Sequence, residues 1–151
     1  MKILLSAAVL ALASTAPALA QGQADDMSPV GLWKNIDDMT GKPKALIRIT
    51  ETRGELQGQI EKLYLAPGLD PNPRCDKCSG DKKDQPVLGM VFMSGLKKNG
   101  NEYTDGQILD PDNGKLYRSK LSVVDGGKKL NVRGYIGVPM FGRSQIWVRQ
   151  E

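Results

Sequence analysis

The chain has no histidine and only two cysteines, and aromatic side chains make up 5% of its 151 residues. Without histidine, a Ser-His-Asp triad, a Cys-His pair and every zinc site that uses imidazole are excluded. Two cysteines give at most two soft metal ligands, so a closed zinc site would need a second copy of the chain, and no metal is expected. No stretch of any length carries a helical period, and no motif for a cofactor is present; Gly134, Gly137 and Gly142 precede no helix and are not a dinucleotide fingerprint. Basic residues are scattered and mixed with acids, without a basic run interleaved with aromatics, so nucleic acid is not an expected partner.

What is present begins with a leader. "MKILLSAAVLALASTAPALA" has one Lys, an apolar run from Ile3 to Ala13, and Ala18-Leu19-Ala20 before a polar stretch. That is the layout of a secretory signal, and the apolar run is shorter than the roughly 20 residues a bilayer span needs. Cleavage after Ala20 is expected, with Gln21 rather than a lipid-bearing Cys at the junction. The 151 residues less the first 20 leave 131, enough for one domain with one core. Removing Lys2 lowers the formal charge from +4 to +3. The expected organisation is a signal over 1–20, a flexible segment over 21–29 and one domain over 30–151. The expected destination is the periplasm or the outside of a bacterial cell.

Beyond the leader, short alternating runs follow one another: "VGLWKNI", "KALIRIT", "ELQGQIEKL", "PVLGMVFM", "NEYTDGQIL", "KLYRSKLSVV", "KLNVRGYIG" and "RSQIWVR". Between them lie "DDMTGKP", "TRGE", "KKNGN", "DPDNG" and "DGGK", whose Gly, Asn and Asp supply turn conformations. Leu56, Gly58 and Ile60 share one strand face, opposite Glu55, Gln57, Gln59 and Glu61. Leu130, Val132, Gly134 and Ile136 similarly oppose Asn131 and Arg133. A sheet wet on one face and apolar on the other is predicted. About eight such strands, joined by tight turns, predict an all-β antiparallel up-and-down barrel, since closure removes the exposed edges. A membrane-spanning barrel would need the opposite pattern, with an apolar outer band.

Cys75 and Cys78 stand in "RCDKCSGDKK", inside a Pro-rich loop of about twenty residues. Thiol-redox chemistry calls for such a pair at a helix N-terminus in a βαβ unit, where its pKa falls. A pair between antiparallel strands in an oxidising compartment points instead to a local disulfide, contributing roughly 2 kcal/mol by loop-closure entropy. "DPDNG" (Asp110 to Gly114) places its Gly and Pro wrongly for a calcium loop and reads as a hairpin turn. Asp37 and Asp38, being adjacent, point to opposite sides of an extended chain and are no acid/base pair. In "GLWKNI" and "IWVRQ", a Gly-x-Trp on the first strand and an Arg on the last predict Trp33 at the closed end under a guanidinium, from Arg149 first and Arg143 second.

"GLWKNIDDMTGKPKALIRI", the "CDKC" loop, "DPDNGKLYRSKLSV" and "LNVRGYIGVPMFGRSQIWVRQ" together resemble the DUF2147 family of secreted bacterial proteins. The resemblance runs from about Val30 to Arg149 and implies a lipocalin-like (calycin) barrel. It implies that Gly31 and Trp33 match the first-strand Gly-x-Trp of calycins, with Arg149 the late Arg on that Trp. It implies no activity. A non-enzymatic carrier of a small apolar ligand is the leading expectation. Gly58 and Gly134 would leave interior room, and Tyr135, Met140 and Phe141 would touch the ligand. The alternatives are a filled barrel that docks a protein partner or a second copy through its apolar loop, and a thiol-disulfide protein using Cys75 and Cys78.

Overall fold

A computed structural model of the protein describes residues 27–151. The expected leader over 1–20, its cleavage site after Ala20 and most of the segment 21–29 lie outside the described residues. Eight strands follow in chain order: β1 (Gly31–Ile36), β2 (Pro43–Thr52), β3 (Glu55–Leu63), β4 (Val91–Asn99), β5 (Glu102–Asp110), β6 (Lys115–Val124), β7 (Lys129–Tyr135) and β8 (Gly142–Arg149). Each pairs antiparallel with its neighbour, and β8 returns to β1, giving a closed up-and-down barrel. The period-two alternation decides which side chains go inside. Leu56, Gly58 and Ile60 are buried along β3 while their neighbours Glu55, Gln57 and Gln59 are exposed.

The fourth strand departs from expectation. The run "PVLGMVFM" predicts a strand over 86–93, but β4 begins at Val91 and continues through Lys97, Lys98 and Asn99. Pairing of Lys97 with Thr104 and Asn99 with Glu102 needs only backbone, so polar residues extend the strand to its two-residue turn. Gly95, with φ of 75°, marks the irregular step in it. Val87 and Met90 are buried in the preceding loop instead of in a strand. Ile136 also leaves the sheet, and it is exposed.

Antiparallel order places the short turns 53–54, 100–101 and 125–128 at one end. The longer connections 37–42, 64–90 and 136–141 lie at the other, with the four-residue turn 111–114. The short-turn end is packed around Trp33, with a hollow among Met27, Glu51, Lys98 and Tyr103 outside it. Trp33 is fully buried there and donates from Nε1 to Pro29 O at 2.8 Å. The Arg149 guanidinium lies 4.2 Å from the centre of the Trp33 ring. It also donates to Gly127 O at 2.5 Å, Ser28 O at 2.5 Å and Val30 O at 3.2 Å. One side chain thus ties the entry of β1 to the β6–β7 turn. The carbonyls of Ser28 and Pro29 accept from Arg149 and Trp33 respectively. Gly31 is required beside them: a Cβ there would stand 2.7 Å from Glu151 O.

Arg149→Leu removes the cation–π contact and leaves three carbonyls without their charged donor. The expected loss is about 2–4 kcal/mol in urea unfolding, with an unchanged slope. Arg149→Lys should restore only part of it, because an ammonium lacks the planar fork. A loss under about 0.5 kcal/mol for Arg149→Leu would contradict this role.

Candidate functional site

The long-connection end is open. A chamber of about 490 Å³ enters the barrel there, walled lower down by Ile47, Ile60, Phe92, Val132 and Trp147. Its depth is set by side-chain size on facing strands. At Gly58 the interior is already filled, because a Cβ would lie 2.9 Å from Met93 Cε and 3.4 Å from Ile47 Cγ2. Gly106 is filled in the same way by Leu96, whose Cγ would lie 2.3 Å from a Cβ. At Gly134 the nearest atoms, on Ile108 and Tyr117, are 3.6 and 3.7 Å away, which leaves room for a larger side chain. Gly134 lines the chamber and Gly58 does not. The room expected at Gly58 is therefore absent, because Met93, its partner in register on β4, occupies it.

Tyr135 and Phe141 line the chamber, Tyr135 buried and Phe141 exposed at the rim. Met140 does not line it. It is 80% exposed and sits on the outer surface beside Arg133 and Pro139. The reason is local: the Arg133 guanidinium donates to Pro139 O at 2.6 Å, Gly142 O at 3.2 Å and Met140 O at 3.5 Å, which fixes the loop backbone against the barrel wall. Arg143, the second choice for the Trp33 lid, is at the opposite end from Trp33 and lines the mouth.

The stapled loop forms one side of the mouth. Cys75 and Cys78 stand at disulfide distance and both are buried, at 0% and 4% exposure. Neither sulfur is therefore presented to a thiol substrate. Gly114, with φ of 71°, is the seat of this loop: a Cβ there would fall 1.9 Å from Lys77 O. Lys77 Nζ also donates to Asp112 O at 3.1 Å. The seat itself is a self-contained turn, since Asp110 accepts from Asp112 N at 2.9 Å and from Asn113 Nδ2 at 2.9 Å. No group of residues among those described could hold a metal ion.

Polar side chains occupy the β1–β8 wall near the mouth. Asn35 Nδ2 and Trp147 Nε1 both donate to Gln145 Oε1, each at 3.3 Å. These residues were not singled out from the sequence. The signal was there, since Asn35 continues the inward period of Gly31 and Trp33, and Gln145 that of Trp147 and Arg149. Higher up, Arg143 Nε donates to Asp38 Oδ2 at 2.6 Å in a two-point ion pair. That hydrogen bond, opposed by some burial, holds the Asp38 carboxyl below its ordinary 3.8. Lys44 pairs with Asp112 across the mouth. Burial works to lower the Lys44 ammonium, but its hydrogen bond to Asp112 and the charges of Asp112, Asp110 and Asp37 outweigh it, and the pKa is raised.

Comparison with known proteins agrees with this geometry. Residues 31–149 match DUF2147, described as an uncharacterised protein conserved in bacteria. No curated protein matches the chain. Among solved structures, one from Helicobacter pylori, HP1028, described as belonging to the lipocalin family, is similar with a TM-score of 0.70. It shares 16% identity over 83% of this chain and 84% of its own, a likeness of fold. No helix among the described residues is long and apolar enough to cross a membrane.

The Asp38–Arg143 pair has a defined pH behaviour. A carboxyl held below 3.8 in the folded state adds stability above that pH, and the contribution disappears as pH falls through the lowered value. In Arg143→Gln, the Asp38 titration followed by carboxyl NMR should move up towards 3.8. An unmoved titration would show that Arg143 is not the cause.

Proposed function

We propose, for a chain that belongs to the DUF2147 family of bacterial proteins, that it carries a small apolar ligand in the upper half of its barrel without enzymatic action. The chamber carries this reading: about 490 Å³, open at one end and walled below by aliphatic and aromatic side chains, within the usual size range of ligand pockets. Transferring apolar surface into it releases about 25 cal/mol per Å², less the cost of association. Tyr135, Phe141 and Gly134 are the ligand contacts in this reading; Met140 and Gly58 are not. In this reading the leader directs the carrier to the periplasm or outside the cell, a compartment in which a Cys75–Cys78 staple stays oxidised.

A second reading is favoured by one observation. Ile136, Val138 and Met140 are exposed on the loop 136–141, and an apolar patch of that kind also suits a protein partner. The two readings separate on binding of a neutral apolar dye such as phenylnaphthylamine. Gly134→Leu should fill the chamber and weaken dye binding at least tenfold while changing stability by about 1 kcal/mol or less. Gly58→Ala should cost a similar amount of stability against Met93 yet leave dye binding intact. Dye binding that ignores Gly134→Leu, or is absent from the unsubstituted protein, would favour the docking module.

A further inference from the structure

Three buried side-chain atoms among the described residues have no hydrogen-bond partner: Asn35 Oδ1, Ser119 Oγ and Asn131 Oδ1. Only Asn35 belongs to the chamber wall. Its orientation follows from its neighbours. The Trp147 indole N–H can only donate, so the Gln145 atom facing it is the oxygen. That same oxygen faces the Asn35 amide, so the Asn35 atom towards it is the nitrogen, and Oδ1 is the one left over. A flip of either amide would set two donors or two acceptors against each other. Oδ1 is buried with no partner in the folded protein, and leaving a buried acceptor unpaired is unfavourable. The terminal torsion of Asn is soft, and the 3.3 Å bond to Gln145 is long, so a small swing of the amide offers Oδ1 to a guest in the chamber.

The charges of the wall are already matched. Arg143 is held by Asp38, Lys44 by Asp112, and Asp110 by the donors of its own turn. A ligand carboxylate would have to break one of these pairs or sit beside Asp110 and Asp112, at a desolvation cost that no unpaired cation among the described lining residues repays. A neutral donor meets no such obstacle.

We propose that Asn35 Oδ1 accepts a hydrogen bond from an uncharged donor, a hydroxyl or amide N–H, on an otherwise apolar ligand, and so sets the specificity of the chamber. This rests on the carrier reading above. The probes are dodecanol, dodecyl methyl ether and dodecanoate, compared by displacement of phenylnaphthylamine from the whole protein. The unsubstituted protein should bind dodecanol about tenfold more tightly than the ether, which lacks the donor, and more tightly than dodecanoate. Asn35→Leu should bring the alcohol-to-ether ratio close to one without weakening the ether. Asn35→Ala, which removes the amide without adding bulk or charge, should level the alcohol-to-ether ratio in the same way, which covers the case in which Asn35→Leu does not fold. Equal binding of alcohol and ether, a ratio that survives Asn35→Leu, or dodecanoate as the tightest ligand would each overturn the inference while leaving a carrier. Failure of all three probes would overturn the carrier reading with it.

Discussion

Closure of β8 onto β1 is the constraint on which the rest of this molecule depends. An antiparallel meander of eight strands that failed to close would expose two edges and lose its single interior. The seam is short: Trp33 pairs with Arg149, Lys34 with Val148 and Asn35 with Trp147. It is extended by Gln150 N–H to Leu32 O at 2.8 Å. So few ladder bonds need help from side chains, and Arg149 supplies it at one end by stacking on Trp33 and gathering three carbonyls. At the other end one weaker, uncharged bond, Asn35 to Gln145, crosses the same seam, and Trp147 joins it from within β8. The seam is therefore locked where the barrel is packed around Trp33 and polar where the barrel is open.

The division into a filled lower half and an open upper half follows from which inward glycines have a large neighbour. Gly58 and Gly106 face Met93 and Leu96, long side chains that reach across and occupy the space. At Gly134 a Cβ would meet Ile108 and Tyr117 only at ordinary contact distance, and Gly134 and the small Ala45 both line the chamber. The mouth is then framed by the Lys44–Asp112 pair across it, the Asp38–Arg143 pair beside the β1–β8 seam, and a disulfide-stapled loop seated on Gly114. Exposed ion pairs of this kind contribute little to stability. Their consequence is electrostatic: they leave the lining lysine and arginine each with a carboxylate partner.

Much of this was legible in the sequence, and the reasons differ by element. Strands with strict alternation, such as β3 and β6, announce themselves because the period of two is a backbone property. The Trp33–Arg149 arrangement was legible because a buried indole on the first strand and a late Arg suit few other geometries. The start of β4 was not, since apolar "PVLGM" looks like strand, yet Val87 and Met90 serve the core from a loop. The chamber was only half legible. Sequence shows that Gly58 and Gly134 face inward, but whether a glycine leaves a hole depends on the residue opposite, which register alone reveals. Met140 reads as a ligand contact for its apolarity, and the Arg133 bonds that hold its loop outside are invisible in one dimension.

The central claim is that the upper chamber holds a molecule when the protein is at work. Native mass spectrometry of the protein purified without detergent from its own cell envelope tests it most directly. The account predicts a mass excess that disappears on denaturation and an extractable, mainly apolar compound. A bare polypeptide, free of any adduct under conditions that preserve the fold, would contradict it.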